Sequence, residues 1–131
     1  MLHSGDCHCG KVQFEFESDA DVTLLRCNCS ICDRVGYLHL TIPQRRMMLK
    51  TSWDDLALYT FNSGIAKHYF CKNCGVKPFY IPRSNPDCFS INFRNVDQSN
   101  FGEIFIQDFD GRNWESNAGS LSYLSEQLFP Q

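Results

Sequence analysis

The run "VQFEFE" (Val12 to Glu17) alternates apolar and polar positions, the period of a strand with one buried face. "VTLLRC", "YLHLTI", "LALYTF", "AKHYFC", "KPFYI", "CFSINF" and "EIFIQDF" are further short runs rich in β-branched and aromatic residues. Turn-forming stretches separate them: "SDAD", "NSG", "RSNPD", "VDQSN" and "DGRN". Helical periodicity is scarce. "SICDRVG" has room for one turn after the last cysteine of its cluster, and "SLSYLSEQL" for a short terminal helix. Short strands broken by turns at intervals of about ten residues predict an all-β chain, an antiparallel sandwich or a small barrel-like pair of sheets.

Composition narrows the class. A chain of 131 residues without linker or low-complexity tract predicts one domain over 1–131, long enough to bury a core without disulfides. Hydrophobic residues make up 43% and aromatics 14%, as in a globular rather than a disordered chain. A net charge of −3 offers no electrostatic reason for a nucleic-acid or anionic-membrane partner. No apolar run approaches the roughly 18 residues of a membrane span. "MLHSGDCHCG" lacks the basic segment and apolar stretch of a signal peptide, so a cytoplasmic location is expected.

Eight cysteines in a reducing compartment need a reason other than disulfides. Seven fall into three tight clusters, "CHC", "CNCSIC" and "CKNC", and Cys88 stands apart. A thiol-rich core is the plain alternative, since free cysteine packs as a small hydrophobe. A core does not require clustering, however, whereas a metal does. Thiolates favour zinc over calcium or magnesium, with an iron–sulfur cluster as the lesser alternative. "CHCG" and "CKNCG" share a form, two cysteines and then a glycine (Gly10, Gly75) suited to the positive φ of a metal knuckle. Together Cys7, Cys9, Cys71 and Cys74 make a plausible closed four-thiolate zinc site, although spacing alone leaves other pairings of the clusters open.

That pairing leaves Cys27, Cys29 and Cys32 with three thiolates and an open fourth position, the arrangement of a catalytic zinc. The competing reading is a closed site completed by Cys88, His8, His39 or His68. Zinc with three thiolates has a net charge of −1 and is a weak Lewis acid, poorly suited to hydroxide-driven hydrolysis. A soft external thiol suits it better. The residues thus point to thiol binding or thiol transfer.

"CHCG", "CNCSIC" and "CKNCG", continued through "FCKNCGVKPFYIPRSNPD" and "DGRNWE", resemble the glutathione-dependent formaldehyde-activating enzymes, which include the centromere protein V relatives. The resemblance runs from about Gly5 to Glu115 and leaves the tail, 116–131, without a motif. It implies a β-tent fold, two small antiparallel sheets clamped by zinc. It implies two zinc ions per chain, a structural one on Cys7, Cys9, Cys71 and Cys74 and a functional one on Cys27, Cys29 and Cys32. The implied activity is that of a carbon–sulfur lyase joining glutathione to formaldehyde or releasing it. A pocket for the two carboxylates of glutathione should offer cations and N–H donors. Lys77, Arg83 and Asn85 are the expected ones, with Ser84 and Arg34 close by. "DGRNWE" reads as a turn made by Asp110 and Gly111, with Trp114 on the core or, with Asn113, near a ligand. A twice-stapled binding domain and a redox-sensing zinc–thiolate protein are the alternatives to an enzyme.

Overall fold

The computed structural model describes residues 1–122 and 124–125. Ten strands form, in chain order, β1 (Leu2–Asp6), β2 (Gln13–Glu17), β3 (Val22–Cys27), β4 (His39–Pro43), β5 (Met47–Leu49), β6 (Leu56–Tyr59), β7 (Lys67–Cys71), β8 (Phe79–Ile81), β9 (Cys88–Asn92) and β10 (Ile104–Phe109). Among the described residues, helix comprises α1 (Ser30–Val35), α2 (Trp114–Asn117), residues 124–125 and short 3₁₀ turns. The all-β expectation holds. β1 and β5 escaped it: "LHSGD" is mostly polar, and "MML" is too short to show alternation.

Two sheets result, a three-stranded one ordered β1-β2-β5 and a seven-stranded one ordered β10-β3-β4-β9-β8-β7-β6. The larger sheet departs from the antiparallel expectation at one edge, where β10 runs parallel to β3 from Ile104 beside Val22 to Phe109 beside Cys27. Alternation carries no strand direction, and a parallel partner needs a long crossover that leaves no hairpin signature. Here the intervening chain returns to the start of β3, where Asp21 Oδ1 accepts from Glu103 N at 2.8 Å and Ala20 O accepts from Gly102 N at 2.8 Å.

The register of the large sheet sorts its residues onto two faces of different chemistry. Leu40, Ile91, Phe79 and Tyr69 lie in one row across β4, β9, β8 and β7. That face packs with Phe14 and Phe16 of the small sheet into the main hydrophobic core. Burial of each large side chain contributes roughly 1.5–3 kcal/mol. The neighbouring row on the opposite face reads Thr41, Ser90, Tyr80 and His68. Leu25 of β3, paired with His39 of β4, extends this polar face toward Cys27, two residues further on.

α1 starts ahead of the third cysteine of "CNCSIC" rather than after it. Cys29 caps the helix, its Sγ accepting from Cys32 N at 3.4 Å, so Cys32 sits inside the first turn. A 3₁₀ turn over Ala118–Leu121 runs into the start of "SLSYLSEQL" and residues 124–125 are helical, while Tyr123 and 126–131 lie outside the described residues.

Candidate metal centre and active site

Cys7 follows β1, Cys9 sits in the turn before β2, Cys71 ends β7 and Cys74 lies in the next turn. The two turns share one design. Cys7 N donates to Val12 O and Cys71 N to Val76 O, both at 3.0 Å. Gly10 and Gly75 then adopt φ of +81° and +77°, which a side chain would disfavour. The four sulfurs converge to within 4.8 Å of one another. Cys7 and Cys9 are 3.6 Å apart and Cys9 and Cys71 are 3.7 Å apart, close to the ~3.8 Å edge of a tetrahedron with zinc–sulfur bonds of about 2.3 Å. Backbone N–H groups also aim at the sulfurs, Val12 N at Cys7 Sγ (3.3 Å) and Asn73 N at Cys71 Sγ (3.4 Å), as thiolates require. This cluster fits a zinc ion.

The second cluster is built by the end of β3 and the start of α1. Cys27, Cys29 and Cys32 bring their sulfurs within 4.8 Å of one another, and among the described residues no other cysteine, histidine or carboxylate joins them. Cys88 is buried elsewhere, its Sγ 3.5 Å from Asp87 Oδ1 and 3.7 Å from Ser125 Oγ. The neighbouring thiols, donating to Cys29, lower its pKa to about 2 and drive that of Cys32 upward. A cation is therefore needed before all three can be thiolates together. The donor set is soft and fits zinc.

Gly111 closes on this triad from the end of β10. A Cβ built at this buried glycine would land on Cys27 Sγ and lie 3.0 Å from Cys29 Cβ. The parallel pairing of β10 with β3 creates this approach, because both strands end at the same level and Asn28 N donates to Phe109 O at 3.3 Å. Asn28 also donates to Asp110 Oδ1 (3.1 Å) and accepts from Arg112 N (3.0 Å), which ties the turn to the cluster loop.

Behind the triad lies a buried polar group. Lys77 is 8% exposed, with Nζ 2.6 Å from His68 Nδ1 and 4.1 Å and 4.9 Å from the ring centres of Tyr80 and Tyr37. Burial lowers its pKa to about 8, opposed by Cys32 and Cys29, so it remains an ammonium at neutral pH. An ammonium only donates, so His68 Nδ1 accepts and the imidazole carries its proton on Nε2. Burial and Lys77 lower the pKa of His68 to about 4, and His39 is lowered to about 3, mainly by burial. His39 Nδ1 lies 2.9 Å from Ser90 Oγ and 3.2 Å from the Tyr80 hydroxyl. Nε2 of each histidine is buried without a hydrogen-bond partner.

A cavity of about 400 Å³ opens over the polar face, and Cys27, Cys29, Cys32, His39 and His68 all line it. Of the residues expected to meet the substrate, Arg83 and Ser84 line the cavity while Lys77 and Asn85 do not. Lys77 is packed behind Tyr80, and Asn85 Nδ2 donates to Leu121 O (3.1 Å) and Ser125 Oγ (2.8 Å), anchoring the C-terminal segment. Arg83 stacks on Trp114 at 3.7 Å and pairs with Glu115 at 3.2 Å. Trp114 lines the cavity, whereas Asn113 donates to Asp110 Oδ2 at 2.7 Å. Arg34 Nη1 donates to Ser30 O at 2.7 Å and takes no part in the lining. In the sequence Gly111 reads only as a turn residue, and Arg112 and Phe61 have no assigned role; only the strand register would have signalled the polar row beneath them.

Residues 2–108 match the sequence profile of the family described as glutathione-dependent formaldehyde-activating enzyme. The chain belongs to that family. A Rhodobacter sphaeroides protein of known crystal structure is also similar, at 32% identity and a TM-score of 0.68 over 79% of this chain and 99% of that one. In this family member the match ends at Asp108, just before the turn that carries Gly111, Arg112 and Trp114 to the cavity. Among the described residues, no helix is long and apolar enough to cross a membrane.

Proposed function

We propose that this chain is a zinc-dependent enzyme of the carbon–sulfur lyase type that takes a thiol such as glutathione at Cys27, Cys29 and Cys32. It joins that thiol to a small carbonyl such as formaldehyde, or releases it. The supporting observation is a triad of sulfurs that lines a cavity and has no fourth ligand among the described residues. A bound zinc would supply one open, sulfur-preferring position at which a thiol is held as its thiolate. In this reading Cys7, Cys9, Cys71 and Cys74 hold the second, structural zinc.

The reaction forms one carbon–sulfur bond. The thiolate sulfur attacks the carbonyl carbon, the C=O π pair moves to oxygen, and that oxygen takes a proton to give the S-hydroxyalkyl product. Release reverses each movement. The chain contributes position and charge. Lys77, held among Tyr37, Tyr80 and His68, offsets the negative charge gathered by the sulfurs, and its contact with His68 keeps a proton on Nε2 at the cavity wall. Arg83 is the cation of the lining best placed to meet a carboxylate of the thiol.

Cobalt substitution followed by titration with glutathione tests this reading. The thiolate-to-cobalt charge-transfer band should grow saturably, and formaldehyde exchange followed by NMR should then accelerate. A band that already reports a full tetrahedral thiolate site and ignores glutathione would falsify it.

A further inference from the structure

Two histidines on the polar face turn hydrogen-bond donors toward the cavity. His39 of β4 and His68 of β7 are 6% and 4% exposed, and both line the space over the triad. Their Nδ1 atoms face buried partners: Lys77 Nζ for His68 (2.6 Å), and Ser90 Oγ (2.9 Å) with the Tyr80 hydroxyl (3.2 Å) for His39. Neither Lys77 nor Ser90 lines the cavity, so each ring meets it with the edge beyond Nδ1. The Lys77 ammonium fixes the His68 proton on Nε2. At His39 two hydroxyls converge on one nitrogen, and among the described residues neither has another acceptor. Nδ1 therefore accepts, and Nε2 carries the proton here too. Buried donors are normally paired, yet among the described residues neither Nε2 has a partner. The rings are also held in place. His68 stacks on Phe61 and Tyr80, with centroids 5.5 and 4.9 Å apart, and His39 lies against Tyr37 at 4.4 Å.

We propose that His39 and His68 form the carbonyl-oxygen site of this enzyme, their two Nε2–H groups holding the oxygen of the small carbonyl while the thiolate attacks its carbon. Both act in the thiol addition proposed above, on which this assignment rests. As the sulfur pair forms the carbon–sulfur bond, the C=O π pair moves to oxygen, and preorganised donors stabilise the charge where it gathers. The imidazoles keep their own protons. The proton that the thiol gave up on becoming a thiolate returns to the oxygen through water, which balances the addition. Burial holds both rings neutral, and a neutral imidazole N–H polarises a carbonyl without protonating a thiolate beside it. Both rings also feel the charge of Cys29, which puts them near the sulfurs.

Nitrogen NMR of the zinc-loaded full chain with labelled histidines reads the tautomers directly, and formate serves as a one-carbon oxygen acceptor that adds no thiol. Both Nε2 atoms should be protonated, and both Nε2–H signals should move saturably together as formate is added. A bare Nε2 on either ring, or signals that ignore formate, would overturn the proposal. In formaldehyde exchange at saturating glutathione, His39→Leu and His68→Leu should each slow the reaction at least about tenfold. The cobalt charge-transfer titration with glutathione should be unchanged in both. His68→Gln, which restores an N–H near the position of Nε2, should recover part of the loss. Unchanged exchange in either leucine variant, or a folded variant that loses the band along with the rate, would overturn the proposal and leave thiol entry standing. If glutathione fails to move the band of the unaltered protein, thiol entry itself falls, and the assignment falls with it whatever formate does. Should a leucine variant not fold, the NMR measurements on the unaltered protein still decide.

Discussion

A single missing methyl group separates Gly111 from the sulfurs it covers. Gly111→Ala puts a carbon onto Cys27 Sγ, so the triad must spread or the turn must lift. The expected result is loss of one metal ion per chain with the four-cysteine site still filled, and destabilisation of about 1–3 kcal/mol, as for other overpacked sites. Elemental analysis and a thermal melt check both. His68 makes a prediction of a different kind. Its folded pKa of about 4 lies below the ordinary 6.5, so the unfolded chain binds its proton first as pH falls. The contribution is complete above pH 6.5 and is lost on acidification toward pH 4. Urea midpoints of His68→Phe should therefore fall less steeply than those of the unaltered protein across that window, and any acid loss of metal common to both cancels in the comparison. Lys77→Met removes a neighbouring positive charge and should raise the His68 pKa, read from the NMR titration of its ring protons.

At the scale of elements, β8 is short, yet it divides the molecule's two chemistries. Phe79 is fully buried in the core, and Tyr80, the next residue, points to the polar row beside Ser90 and His68. Phe79→Ala should cost about 3–5 kcal/mol by urea denaturation. At the sheet edge, the Arg26–Asp108 pair joins β3 to β10 at 2.7 Å but is open to solvent. Asp108→Asn should leave the urea midpoint unchanged, because water competes for both partners. Element existence was legible in the sequence for the eight alternating or β-rich runs, since burying one face imposes a period of two. The parallel edge was not, because a strand's direction is set by the connection that brings it in. The start of α1 was missed because a sulfur, rather than an oxygen, accepts the capping N–H of Cys32.

Across the whole molecule, the four-cysteine cluster ties the hairpin of the small sheet to the β7–β8 turn of the large one. In sites of this kind roughly 10 kcal/mol of metal-binding free energy acts as folding free energy. Cys71→Ser should therefore abolish the cooperative melt, and a strong chelator should do the same to the unaltered protein. Cys29→Ser should leave the melt in place while halving the metal content. If the two variants lose stability equally, the division of labour between the clusters is wrong.

The chain by itself determined its strand content, its grouped cysteines and the glycines that turn the two knuckles. These are local demands: side-chain period, ligand spacing and a positive φ leave their mark within a few residues. The tertiary structure alone decided what lies around the triad. Lys77 and Asn85 look in sequence like groups for a ligand, yet one is sealed behind Tyr80 and the other fastens the C-terminal stretch. Gly111 meets Cys27 across more than eighty residues of chain because a parallel strand ends beside the cluster. Contacts of that range are set by which elements pack together, and the order of residues along a chain does not encode them locally.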